Sequence, residues 1–343
     1  MLSWLWPWAR RGSPAQHAQP APTLRSVGGQ APVEMATRPR LEVLLASQRA
    51  PDDLPIGRRH RVRERFQGLY ASVFRGMGMD FEDTRAYQDG DDIRHMEWRV
   101  TARTGVAHIK RFRAEHGRTV LLLLDGRRQV AFGTRGAFKW VQAARAAAQL
   151  GSAAQHVGDR LGAVILRDAP SHTEFIAPRV GQRNLRRILS SYCEPLGAPT
   201  SEAADVDPST AVEDGLHRTR ASAQMGSLVF VIADMASWSP GLEQALIGLR
   251  GRCEVVLICL DDVADRTLPD IGPVTLGGPS GHAVLVDAGD RAARQRLAEL
   301  WERDRQALLA CCARIRVPVI AIATDSDVDA TLRRALLEIG RRG

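Results

Sequence analysis

From residue 119 onward, short runs of consecutive apolar residues alternate with longer stretches of helical periodicity. The runs are 120–125 (VLLLLD), 160–166 (RLGAVIL), 227–234 (SLVFVIAD), 254–260 (EVVLICL) and 317–324 (VPVIAIAT). Each is apolar at successive positions rather than at alternate ones. That pattern predicts strands of a parallel sheet with both faces covered. Helical spacing is predicted over 137–157, 182–192, 212–223, 241–249, 291–315 and 328–339. Strand–helix alternation of this kind gives a doubly wound, mostly parallel α/β domain, placed here at 119–343.

Upstream the pattern is different. Residues 1–38 are rich in Ala, Pro, Gln and Gly without apolar periodicity, which predicts a disordered leader. Residues 39–118 begin with a short helical pattern, LEVLLAS from Leu41. A strongly basic stretch punctuated by Gly follows. This second unit is expected to be a small mixed α/β or β-rich segment packed on the main domain. Residues 197–209 read as a polar loop. No internal repeat is present.

Composition narrows the class. Of 343 residues, 44% are hydrophobic and 25% charged, as in a globular protein with a sizeable core. The net charge is +8 and is carried almost wholly by Arg, since Lys110 and Lys139 are the two lysines. Such Arg usage follows GC-rich bacterial coding, so part of the basicity carries no function. Five cysteines, an odd number without a C-x-x-C pair, argue against a disulfide framework or a zinc site. A reducing, cytoplasmic location is expected. No apolar run approaches the roughly 18–20 residues of a membrane span. The opening MLSWLWPWARR places its short apolar block before its positive charges, unlike a secretory signal. Trp4, Trp6 and Trp8 offer at most weak peripheral membrane contact.

Candidate chemistry lies where the predicted strands end. Two end on carboxylates, Asp125 and Asp234, and Thr210 opens the helix before the strand that leads to Asp234. Ligands of open α/β sheets bind at that carboxyl edge. Two carboxylates and a hydroxyl suit a hard cation such as magnesium. The plainer alternative is that both acids cap the elements that follow them. Arg127, Arg128 and Gln129 follow Asp125 and are poor metal ligands.

The arrangement resembles the von Willebrand factor type A fold, whose metal site uses D-x-S-x-S, a Thr in T-x-φ-x-x-A-L (φ apolar) and a later Asp. Here Asp125-Gly126-Arg127-Arg128-Gln129 lacks both serines. Thr210 to Leu216 keeps the second motif with Gly215 in place of Ala, and Asp234 supplies the third. A guanidinium beside Asp125 repels a divalent ion or replaces it by pairing with the carboxylate. The resemblance therefore implies a degenerate site that needs no cofactor, with magnesium disfavoured. Arg127, Arg128 and Gln129 become the expected contacts to a partner's carboxylate.

A more specific resemblance covers roughly residues 60–338. Phe81, Asp83, Arg85, Tyr87, Gly90, Asp91, Arg94, Trp98, Ala102 and Arg103 match the pattern of the bacterial domain of unknown function 58 family. Lys139 after Phe132-Gly133-Thr134, Gly158 to Gly162 and Leu268-Pro269 extend it. Glu97 departs from the family's Asp or Asn. This resemblance implies partnership with a MoxR-type AAA+ ATPase, and with other von Willebrand-type proteins, in assembling or activating client proteins. Read physically, the signature's acids interleave with Arg85, Arg94, Arg99 and Arg103, as in an ion-pair network. Gly90 suits a turn, and Trp98 suits a packing anchor against the α/β domain. A catalytic pair such as Asp83 with Asp91 is disfavoured, because neighbouring arginines depress the pKa that a general acid needs.

Three functions follow: a non-enzymatic interaction module, a nucleic-acid-binding protein, or a magnesium-dependent hydrolase. The basic run Arg58-Arg59-His60-Arg61-Val62-Arg63 favours the second, but little aromatic interleaving supports it. The third lacks a nameable nucleophile or base.

Overall fold

All five apolar runs become parallel strands of one six-stranded sheet. They are β3 (Thr119–Asp125), β4 (Arg160–Leu166), β6 (Leu228–Ala233), β7 (Glu254–Asp261) and β10 (Val319–Ala323). The chain is described by a computed structural model over residues 36–47, 66–67, 69–71, 73–74, 81–88, 96–112, 117–168, 173–196, 208–235, 237–277 and 283–342.

β3 explains why its sequence is apolar throughout. Val120, Leu122 and Leu124 enter one core, formed with α3 (Lys139–His156), α4 (Gln182–Tyr192) and α9 (Val328–Arg342). Leu121 and Leu123 enter a second core on the other face, with α5 (Pro208–Ser222), α6 (Pro240–Arg250) and the end of α8 (Arg291–Arg314). Alternate side chains thus point to opposite helical layers, and neither face meets water.

The strand order is β10-β7-β6-β3-β4-β5. β5 (Glu174–Arg179) is an antiparallel edge strand that hydrophobic runs did not predict. Ile176 is its buried residue, so it lacks the continuous apolar signal of the inner strands. The chain runs from β3 outward through β4 and β5, then returns to place β6 on the other side of β3. The direction of winding therefore reverses between β3 and β6. The carboxyl ends of those two strands flank the crevice where such sheets bind ligands.

Several elements depart from expectation. Pro208 and Ser209, assigned to a polar loop, form the first turn of α5. A short antiparallel pair, β8 (Pro273–Gly277) and β9 (Ala283–Asp287), stands outside the main sheet. The four-residue α7 (Val263–Arg266) follows β7 directly. No helix among the described residues is long and apolar enough to cross a membrane.

The N-terminal unit contains α1 (Leu41–Ser47), the antiparallel pair β1 (Phe81–Ala86) and β2 (His108–Phe112), and α2 (Trp98–Thr104). Trp98 is not the anchor expected of it: it is 67% exposed, and α2 buries none of its residues. The anchors are Leu44, Phe66 and Tyr70, all buried in the core shared with β3. The Tyr70 ring lies 5.1 Å from that of Phe74, which meets Phe230 of β6 edge-on at 5.7 Å. The Tyr70 hydroxyl donates to Asp159 at 3.4 Å. Spacing of Phe66, Tyr70 and Phe74 by four residues is the helical signal that marks these anchors in the sequence. Ala36, placed in the leader, is helical, and its carbonyl accepts from the Phe138 N–H at 2.7 Å.

Of the family-pattern residues, Tyr87 is half-buried, its N–H donating to Ala107 O at 2.8 Å, and Arg103 is exposed. Gly90, Asp91 and Arg94 lie outside the described residues, as do the side chains of Phe81, Asp83 and Arg85. So do Trp4, Trp6 and Trp8, the basic run 58–63 and most of the expected leader.

Candidate functional site

The crevice between β3 and β6 is filled from within by two cations. Asp125, the last residue of β3, is fully buried. Arg127 turns back over it as a two-pronged fork, with Nε 2.8 Å from Oδ1 and Nη2 2.7 Å from Oδ2. The backbone N–H groups of Arg127 and Asp234 each donate to the same carboxylate at 3.2 Å. Two oxygens with about four lone-pair sites are thereby saturated. The fold-back depends on Gly126, where a Cβ would lie 2.8 Å from Leu166 O of the neighbouring strand. Burial alone would lower the Arg127 pKa, but the charge and hydrogen bonds of Asp125 outweigh it and raise it.

The second cation is Lys139, at the start of α3 and fully buried. Its Nζ lies 2.9 Å from Asp234 Oδ2 and 2.7 Å from Asp265 Oδ2. Burial penalises this ammonium, yet the two carboxylates more than compensate and hold its pKa above the ordinary Lys value. Asp234 extends β6, and Asp265 lies in α7, so one side chain ties three elements at the carboxyl edge.

Asp265 also accepts from the Asp262 N–H at 2.7 Å, and Asp262 accepts from Ala264 N at 2.8 Å, a reciprocal helix cap. Asp262 takes two further bonds from Thr134, N–H at 2.8 Å and Oγ1 at 2.6 Å, and one from the Thr324 hydroxyl after β10. Burial works to raise the Asp262 pKa, but these donors reverse the effect and lower it. The Phe132-Gly133-Thr134 loop is thus pinned by a carboxylate, and the Lys139 N–H bonds Phe132 O at 2.8 Å. At the rim, Arg305 pairs with Asp261 at 3.0 Å, and the Arg128 N–H donates to Asp168 Oδ1 at 2.9 Å.

One ammonium cannot neutralise two carboxylates. Burial, together with the nearby Asp234 charge, pushes the Asp265 pKa up to about 6 despite its contact with Lys139. An unfolded Asp titrates near 4. The folded state therefore holds this proton more tightly, and the stability contributed by neutral Asp265 is lost as pH rises from about 4 through 6. Asp265→Asn should remove that loss, so its unfolding free energy should gain on wild type as pH rises across this window. Parallel denaturation curves whose difference is flat between those pH values would refute it.

The expected site residues are partly brought together. Asp125 and Asp234 are adjacent, and Lys139, expected only from the family pattern, is their neighbour. Thr210 lies exposed in the first turn of α5. Arg127, expected as a partner contact, has a side chain only 4% exposed and spends its fork on Asp125. Arg128 and Gln129 are half-buried beside it. Asp265, Asp262 and Asp261 were not expected. Their sequence signal is the D-x-x-D cap of Asp262 to Asp265, immediately after the apolar run of β7.

This donor set does not fit a divalent cation. Asp125 has no lone pair left, both neighbouring cations would repel an ion, and a guanidinium offers it no acceptor. Among the described residues, no group of three or more His, Cys, Asp or Glu side chains is arranged to hold a metal.

The model of the family described as "Protein of unknown function DUF58" matches residues 83–307, a span that contains Asp125, Arg127, Lys139, Asp234 and Asp265. The protein named Uncharacterized protein Rv1480 of Mycobacterium tuberculosis (strain H37Rv) is 27% identical over 260 residues, covering 76% of this chain and 79% of that protein. The Mycobacterium bovis protein named Uncharacterized protein Mb1516 is similar to the same extent.

Proposed function

The chain belongs to the DUF58 family, and from that premise we propose that it is a non-enzymatic, cytoplasmic protein-interaction module. It acts as an adaptor of a MoxR-type AAA+ ATPase that assembles or activates client proteins, on a domain of von Willebrand factor A type with a metal-independent edge. The observation that carries the reading is the charge-locked crevice. Where an open α/β sheet ordinarily places a ligand or a reacting group, Asp125 and Asp234 are committed to Arg127 and Lys139. A hydrolase needs a base or nucleophile free to act on substrate. An interaction surface needs only a rigid rim.

Arg128 and Gln129 stand on that rim, and Arg128 is suited to receive a partner's carboxylate. The ATPase link rests on the family resemblance. It is tested by co-elution of the purified full chain with the MoxR-type ATPase of the encoding bacterium, in the presence of ATP. The complex should form, and Arg128→Glu with Gln129→Glu should weaken it roughly tenfold through reversed rim charge. Absence of a complex with ATP, with ADP and without nucleotide rejects the reading.

A further inference from the structure

The main sheet has two edges, and they are built differently. β5, at one end, carries Glu174, Pro178 and Arg179, and its register with β4 slips between Leu161 and Ala163. Charge, proline and irregular register are the devices that keep an edge strand from pairing with another chain. β10, at the other end, is VIAIA, without charge, proline or slip. Ala321, at its centre, is exposed.

The ladder fixes which backbone groups of β10 face outward. The Leu257 N–H donates to Pro318 O at 2.9 Å, and the Thr324 N–H donates to Asp261 O at 3.0 Å. In a parallel ladder, alternate residues turn their polar groups to the same neighbour. Residues 318, 320, 322 and 324 therefore face β7, and Val319, Ala321 and Ala323 face away. Ala323 is sealed within the chain. Its N–H donates to Ser326 Oγ at 3.1 Å, and its carbonyl accepts from Gln142 Nε2 at 3.0 Å. Val319 and Ala321 have no such cap among the described residues.

Two further features flank this edge. On one face of the sheet α6 lies between α5 and α8: it packs on α5, and its Glu243 pairs with Arg314 of α8. Leu309 and Ala313 share the flank of α8 turned away from Arg314, and hence toward the β10 edge. Both are exposed, Leu309 by 43%. The other feature is Arg316, which has a φ of 56° just past the end of α8, where glycine is preferred. Strain of that kind is a cost that points to a use for the side chain. Arg316 stands at the entry to β10 and Asp325 just beyond its exit, both exposed.

We propose that β10 is the interface of a symmetric dimer, in which the β10 strands of two copies pair antiparallel across a two-fold axis at Ile320. The two six-stranded sheets become one continuous sheet. Val319 of each copy then exchanges both backbone hydrogen bonds with Ala321 of the other, which satisfies the groups that face outward and asks nothing of the capped Ala323. The same axis sets Arg316 of each copy near Asp325 of the other, and draws the Leu309 flanks of the two α8 helices together. A parallel approach sets like charges side by side instead. An edge that complements itself in this way is what a two-fold interface requires, and it favours a second copy over an unrelated extended peptide. β7 separates this edge from the crevice, so the inference stands whether or not the ATPase is the partner.

The test is sedimentation equilibrium of the purified full chain, from micromolar to sub-millimolar concentration. Wild type should pass from monomer toward dimer as concentration rises. Ala321→Pro removes an outward N–H that makes no bond to β7, so the fold is kept while dimerisation weakens roughly tenfold or more. Arg316→Asp and Asp325→Arg should each weaken it roughly fivefold, and the two together should restore it, since they only exchange the charges. Aspartate tolerates the left-handed backbone at position 316, so this exchange decides the matter should Ala321→Pro fail to fold. A monomer at every concentration overturns the proposal. So does a dimer that a folded Ala321→Pro leaves intact, which means contact elsewhere, or a charge exchange that restores nothing.

Discussion

Lys139→Met should lower the unfolding free energy by about 3–5 kcal/mol at neutral pH, the usual cost of removing one partner from a buried ion pair. The change leaves Asp234 and Asp265 facing each other in a site from which water is excluded, with no cation between them. The melting temperature should fall by roughly 6–20 °C, at about 2–4 °C per kcal/mol for a domain of this size. Two further observations separate charge from packing. The loss should shrink as pH falls through about 6, where Asp265 takes up a proton and one of the two charges disappears. Adding Asp234→Asn and Asp265→Asn to Lys139→Met should restore more than half of it, since no buried charge then remains unpaired. A single variant within about 1 kcal/mol of wild type would show that the three-way contact is not the tie between β6, α3 and α7 described above.

Arg127→Ser should cost a similar amount, about 3–5 kcal/mol, because Asp125 would lose the fork that neutralises it. Its second effect is more telling. With the guanidinium gone and a hydroxyl oxygen in its place, Asp125 regains free lone pairs beside a small polar ligand. Magnesium should then raise the melting temperature of Arg127→Ser and leave wild type unmoved. Stabilisation of wild type by magnesium to the same degree would show that the internal cations do not take the ion's place. Heat of magnesium binding to wild type in calorimetry would count the same way, and would revive a metal-dependent reading of the crevice.

Legibility differed among the elements for physical reasons. The five parallel strands were plain because helices cover both faces, so most of their positions are buried. β5, with one buried side chain, and the β8–β9 pair, which lies outside the sheet, carry no such signal. Trp98 misled because a large aromatic residue suggests an anchor, whereas burial is decided by what packs against it. Phe66, Tyr70 and Phe74 anchor the N-terminal unit instead, and their spacing was there to be read.

The sequence by itself determined the class of the protein. Its continuous apolar runs require a parallel sheet with helices on both sides, and its motif spacings place it in its family. It also put acids at the ends of two central strands. Only the tertiary structure decided what those acids do. Arg127 is two residues from Asp125, but the direction of its fork depends on the close pass of Gly126 over β4. Lys139 lies 95 residues from Asp234 and 126 from Asp265, and no local pattern joins them. Pairing of buried charge is a matter of distance in space, set by strand order and the crossing of α3. Sequence spacing does not reveal it.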